Sequence, residues 1–155
     1  MLIGKYLTLD EVCKSATATR LNIDNKPNQQ QIMCLEALAK NVYDKCCEKF
    51  LIKIPITSGF RSKELNSKIS NSSATSQHCL GQAFDLDLDG VLNGPTNKVL
   101  FDYIKNNLDF DQLIWEFGTD NNPEWVHVSY DITGRQRKIV LKAVKRNNSV
   151  SYIPF

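Results

Sequence analysis

The chain has 155 residues, 42% of them hydrophobic, and a formal net charge of +2, which suits one compact domain with a real core better than two domains or a disordered tail. Its 19 basic residues nearly balance 17 acidic ones, so nothing calls for a nucleic-acid partner, although Arg135, Arg137, Lys138, Lys142, Lys145 and Arg146 make the C-terminal part locally basic. Only two histidines are present, His78 and His127, and this excludes a three-histidine metal site.

The five cysteines, Cys13, Cys34, Cys46, Cys47 and Cys79, are odd in number and two are adjacent, which favours free thiols in a reducing compartment over a disulfide framework. The start, MLIGKYLTLDEV, lacks a basic stretch followed by a long apolar run, and nowhere do 18 apolar residues follow one another. We therefore expect no signal peptide and no membrane span, with synthesis in the cytoplasm; separately, we expect a monomer.

In chain order, Thr8-Leu9-Asp10-Glu11 reads as a capping box opening a short helix that runs to about Ser15. Apolar residues recurring at spacings of three and four from Ile32 to Cys46 predict a long core helix that starts at Pro27 and Asn28 and ends near Phe50. Residues 51–58 (LIKIPITS) read as a strand made irregular by Pro55, and Ser62 caps a further short helix through Ile69. Residues 70–77 (SNSSATSQ) form a polar loop that lies over a site or in solvent. Residues 83–89 (AFDLDLD) alternate strictly, with Phe84, Leu86 and Leu88 facing a core and Asp85, Asp87 and Asp89 facing away.

Gly94-Pro95 introduces a helix through Asn107 whose buried side carries Val99, Leu100, Tyr103 and Ile104. Residues 112–117 and 125–130 are two strands, and residues 137–144 a last one. Helices first and strands mostly later predict an α+β domain with a largely antiparallel sheet, one domain over residues 1–155 with a motif-bearing core at about 51–145.

Both histidines sit among carboxylates at ordered spacing. His78 is followed at seven by Asp85, and Glu124 precedes His127 by three. Two histidines and one carboxylate make up the ligand set of a catalytic zinc site, which needs about three protein ligands and leaves a position for water. His78, Asp85 and His127 are the natural candidates: Asp85 is on the polar face of its strand, and His127 shares a face with Trp125 and Ser129. Glu124, just after Pro123, is placed to take the proton of an attacking water.

These residues resemble the zinc D-alanyl-D-alanine carboxypeptidases and dipeptidases of the M15 type, a family that includes phage peptidoglycan endopeptidases. SQHCLGQAFD (76–85) is similar to the family's S-x-H-x-x-G-x-A-x-D, EWVH (124–127) to its E-x-x-H, and TSGFRS (57–62) to its upstream S-G-[FY]-R-S. The resemblance implies a hedgehog-like or D-Ala-D-Ala-peptidase-like fold, zinc held by His78, Asp85 and His127, Glu124 as catalytic base, Arg61 on the substrate carbonyl and Ser76 lining the substrate pocket. The implied substrate is a peptidoglycan stem peptide.

An arginine suits the role given to Arg61, because its charge is fixed and its donors are paired. Gly81 permits a tight turn between ligand loop and ligand strand. A phage lysis enzyme made in the cytosol and acting on the wall after release fits this reading, and a cytoplasmic bacterial dipeptidase fits nearly as well.

Four rival readings stand beside it. Cys79 as a fourth ligand would close the site and make it structural, and Cys79 as a nucleophile would need a separate orienting base. Asp85-Leu86-Asp87-Leu88-Asp89-Gly90 opens like a calcium loop, but its twelfth position is Thr96 where a glutamate is needed, leaving Asp87 and Asp89 at most a rim site for a cation. The last is a non-catalytic zinc-binding interaction domain of the same fold, like the hedgehog signalling domain, against which Glu124 and Arg61 both count. Trp115, Phe117, Trp125 and Tyr130 read as core or pocket wall.

Overall fold

The computed structural model describes residues 1–70, 72–147 and 149–155. Helix α1 (Leu9–Cys13) opens on the capping box between Thr8 and Glu11, and α2 (Ala16–Leu21) is capped by Ser15. Helix α3 (Gln29–Leu38) begins at a second capping box, Asn28 with Gln31, and continues through a π-helical segment (Ala39–Tyr43) into α4 (Asp44–Phe50). The predicted long core helix is thus present, widened at its centre.

The chain then forms β1 (Ile56–Ser58), α5 (Lys63–Ser67), a 3-10 turn (Gln77–Leu80), β2 (Ala83–Leu86), α6 (Asn97–Asn107), β3 (Gln112–Glu116), β4 (Trp125–Ser129), β5 (Ile139–Arg146) and β6 (Ser149–Pro154). One six-stranded sheet has the order β1-β2-β4-β3-β5-β6. All neighbouring pairs are antiparallel except β3 with β5, so the sheet is mixed and the α+β expectation holds.

Several details depart from the sequence expectations, among them the strand expected over residues 83–89, which ends at Leu86 and leaves Asp87 and Asp89 beyond it. The strand expected over residues 51–58 is only Ile56–Ser58, because Leu51 turns left-handed (φ 56°) to end α4. In α6, Val99 is 46% exposed and Phe101 is buried instead. The strand expected to be the last is followed by β6, a short strand at residues 149–154 that the sequence reading did not include. Of the polar loop expected over residues 70–77, Asn71 lies outside the described residues and Gln77 already belongs to the 3-10 turn.

The sheet has two different faces. On one, Phe84, Leu86, Leu113, Trp115, Val126 and Val128 meet Leu35, Leu38, Val42, Leu100, Phe101 and Ile104 in a continuous core. Aromatic edges lock this layer, with Tyr43 against Phe84 (6.2 Å between centroids) and Phe101 against Trp115 (5.2 Å). The period of two then forces Asp85, Ile114, Glu116, Trp125 and His127 onto the opposite face, which helices leave open. That open face floors a cavity of about 990 Å³.

Candidate metal centre

Each member of the site is set by its element. Asp85 on β2 pairs directly with His127 on β4, so the two side chains emerge side by side. His78 arrives from the 3-10 turn, which Gly81 reverses at φ 71°; a Cβ there would lie 2.5 Å from the Gln31 carbonyl oxygen. The Gln31 amide in turn donates to the Cys79 carbonyl (2.9 Å), so the start of α3 holds the turn.

Asp85 Oδ1 stands 3.3 Å from His78 Nε2 and 2.9 Å from His127 Nδ1. His78 and His127 are 2% and 8% exposed. The three ligand atoms all lie within 4.8 Å of one another, and among the described residues they form the one such cluster able to share an ion. The sequence-predicted ligand set is therefore brought together in space.

The ionisation states suit a cation. Burial lowers the His78 pKa, an effect partly offset by Asp85, and this favours the neutral imidazole with its lone pair. Burial works against an ionised Asp85, but the imidazoles of His78 and His127 outweigh it and hold the carboxyl well below its usual range. His78 Nδ1 donates to the Gly59 carbonyl (2.7 Å), which leaves Nε2 facing Asp85.

A supporting layer fixes these groups. Asn25, buried, donates from Nδ2 to the carbonyls of Cys13 (2.8 Å) and Phe60 (3.0 Å) and accepts from the Ser62 amide (2.7 Å), clamping the arm that carries Gly59 and Arg61. Asp111 accepts from the Gln77 side chain (2.9 Å) and from Arg137 Nε and Nη2 (2.7 and 2.6 Å), tying the residue next to His78 to the sheet. Those pairings also occupy part of the basic C-terminal cluster: Arg137 serves Asp111, Lys138 meets Asp109 and Lys142 meets Asp120.

Arg61 lines the cavity, with a buried Nε that has no hydrogen-bond partner. Burial lowers its pKa while Asp85 raises it, and a guanidinium stays charged regardless. Ser76 is half-buried on the same cavity wall. Glu124 is not brought to the cavity. It is exposed, absent from the lining, and its backbone closes the β3–β4 hairpin through its amide to the Glu116 carbonyl (2.9 Å).

The carboxylate that does reach the cavity is Glu116, 6% exposed, at the end of β3 beside Trp125. Burial pushes its pKa up to about 7; His127 and Arg61 pull it down and Asp85 pushes it further up. Sequence reasoning passed over this residue, although the alternation of Gln112, Ile114 and Glu116 against Leu113 and Trp115 put it on the polar face. Asn25 and Asp111 gave no comparable signal, since their partners are distant in sequence.

Cys79 is buried, and burial raises its thiol pKa; it does not join the converging ligand atoms. Asp87 and Asp89 also stand apart: Asp87 accepts from Asn97 (2.8 Å) and the Asp89 amide (2.9 Å), and Asp89 accepts from Asn122 (3.3 Å). No helix among the described residues is long and apolar enough to cross a membrane.

An α+β sheet with a His-Asp-His cluster on its open face, and an arginine and a buried carboxylate beside it, has the layout of a metal-dependent hydrolase. A family model described as Peptidase M15 matches residues 5–129, and the chain belongs to that peptidase family. A search of curated proteins finds no match.

Proposed function

We propose that the protein is a zinc-dependent peptidase that hydrolyses an amide bond in peptidoglycan peptides. The observation that carries this reading is a buried carboxylate, Glu116, on the same sheet face as a compact His78-Asp85-His127 donor set. The donor set fits zinc. Tetrahedral zinc would need donors roughly 3.3 Å apart; Asp85 stands 3.3 and 2.9 Å from the two imidazoles, and all three donor atoms lie within 4.8 Å of one another. Three ligands of nitrogen and oxygen type leave the fourth position open, as catalytic sites require.

His78 Nε2, Asp85 Oδ1 and His127 Nδ1 would hold the ion. When bound, zinc supplies a Lewis acid that polarises a carbonyl and acidifies water. Glu116 takes the proton of the attacking water as its oxygen bonds to the amide carbon, then hands it to the nitrogen as the C–N bond breaks. A pKa near 7 suits a group that must both accept and release a proton. In this reading the base is Glu116 in place of Glu124, whose side chain lies outside the cavity.

Arg61 binds the carbonyl oxygen, and its unpartnered buried Nε is the donor left over for that contact. Ser76, Phe117 and Trp125 form the walls against which a peptide lies. The wall-peptide substrate rests on membership of the M15 family and on the motifs at residues 57–62, 76–85 and 124–127. A buried base beside the ligands and an unpaired arginine favour catalysis over a purely metal-binding interaction domain.

Mass spectrometry of muropeptides after incubation with the zinc-loaded protein, with and without a chelator, tests the proposal. Cleavage that the chelator abolishes is expected. Intact muropeptides with zinc bound would overturn it.

A further inference from the structure

The cavity continues past the ligand cluster onto the β5–β6 hairpin, which lies beyond the 5–129 segment matched by the family model. Leu141, Lys145, Val150 and Tyr152 of this hairpin line it. Strand register sorts them. Trp125 pairs with Glu116, Glu116 with Ala143, and Ala143 with Tyr152, so these four form one row across the open face. Ala143, 1% exposed, places only a methyl group between Glu116 and Tyr152.

Adjacent strands are about 4.8 Å apart, so the Tyr152 and Glu116 backbones are separated by roughly 10 Å. Both side chains line the cavity, and Glu116 is close enough to Tyr152 to influence its ionisation. Lys145 is one row further along, paired with Val150, and its ammonium sits over the Phe117 ring (4.9 Å). Tyr152 is therefore the polar hairpin residue in line with the chemistry. Arg61 follows β1 at one edge of the sheet and Tyr152 lies on β6 at the other, so the two approach the cavity from opposite edges.

We propose that Tyr152 is a further catalytic residue of this site, its hydroxyl donating a hydrogen bond to the substrate carbonyl oxygen as negative charge gathers there, from the side opposite Arg61. This rests on the peptidase reading above. Tyr152 is 50% exposed at the cavity rim, and the part withdrawn from water, with Glu116 and Asp85 nearby, raises the phenol pKa, so the hydroxyl keeps its proton and remains a donor at neutral pH. A donor aimed at developing charge strengthens in the transition state, and its loss lowers kcat more than it raises KM.

The test compares zinc-loaded full-length wild type with Tyr152→Phe, which keeps the ring and removes only the hydroxyl. On a muropeptide substrate kcat should fall by about 10²-fold with KM within about twofold. Affinity for a phosphinic pseudopeptide, whose tetrahedral anionic centre mimics the charged intermediate, should fall by a similar factor while affinity for the cleaved product stays the same. Zinc content and Tm should match wild type.

A kcat within about twofold of wild type, a rise in KM alone, or a parallel loss of zinc would each overturn the role of Tyr152 while leaving the peptidase reading in place. A zinc-loaded wild type that cleaves nothing would sink that reading, and this role with it.

Discussion

Where β3 hands over to β4, the same side chain meets two opposite environments within eight positions of sequence. Glu116 ends a strand on the open face, 6% exposed, with its pKa pushed up to about 7 by burial. Glu124 precedes the next strand, is exposed, and contributes its backbone to the turn: the amide to Glu116 and the carbonyl to Asn97 (3.0 Å). A carboxylate becomes useful as a base when it is withdrawn from water yet within reach of the reacting atoms. The strand end withdraws Glu116 from water and sets it on the cavity wall, whereas the turn leaves Glu124 exposed and outside the cavity.

The largest effect should come from β4 itself. His127→Ala removes a ligand, so the protein should lose zinc by elemental analysis together with all hydrolysis; full activity with stoichiometric zinc would refute the donor set. Next, Glu116→Gln should retain zinc while kcat drops by about 10²–10⁴-fold. If Glu124→Gln produced that loss and Glu116→Gln did not, the contrast between the two glutamates would be reversed.

Intermediate effects should come from the supporting layer. Asn25→Ala leaves the Gly59 arm unclamped, and zinc affinity measured by competition with a chelator should weaken about 10- to 100-fold. Asp111 gives a pH-dependent case: hydrogen bonds from Arg137, helped by Gln77 and opposed by burial, lower its pKa. Its stabilising contribution is therefore present above the unfolded carboxyl value and lost as pH falls through the lower folded value. Asp111→Asn should flatten the acid limb of Tm against pH.

Glu116 runs the other way in the metal-free protein. Its folded pKa of about 7 lies above the 4.5 of an unperturbed glutamate, so the folded state keeps a proton that the unfolded state releases. Stability from this group is complete below the unfolded value and is lost as pH rises through about 7, up to about 3 kcal/mol in all. Glu116→Gln should remove that decline between pH 5 and 8, and denaturation midpoints of chelated protein would show it. Smallest of all, Glu124→Gln should leave kcat/KM within about twofold.

Much of this was legible in the chain. The capping box at Thr8, the core helix starting at Pro27 and Asn28 and the strand around Asp85 follow from local spacing, and the motif segments singled out the three residues that converge as the candidate ligands. That Glu124 falls outside the cavity has a local cause. Reading E-x-x-H as a motif set aside the period of two, by which a residue three before His127 cannot share its face within a strand, whereas Glu116, paired with Trp125, does. Strand β6 went unread because its alternation, Val150 and Tyr152 against Ser149 and Ser151, spans only four residues at the end of the chain.

By itself the sequence determined which side chains could bind a metal, since two histidines in 155 residues leave few choices and the alternation of β2 fixes the facing of Asp85. Tertiary structure decided the rest. Which carboxylate loses its water, which arginine nitrogen is left unpaired, and which distant strand brings Tyr152 to the cavity all depend on pairing across the sheet. Burial and cross-strand register arise between segments far apart in the chain, so no local pattern encodes them.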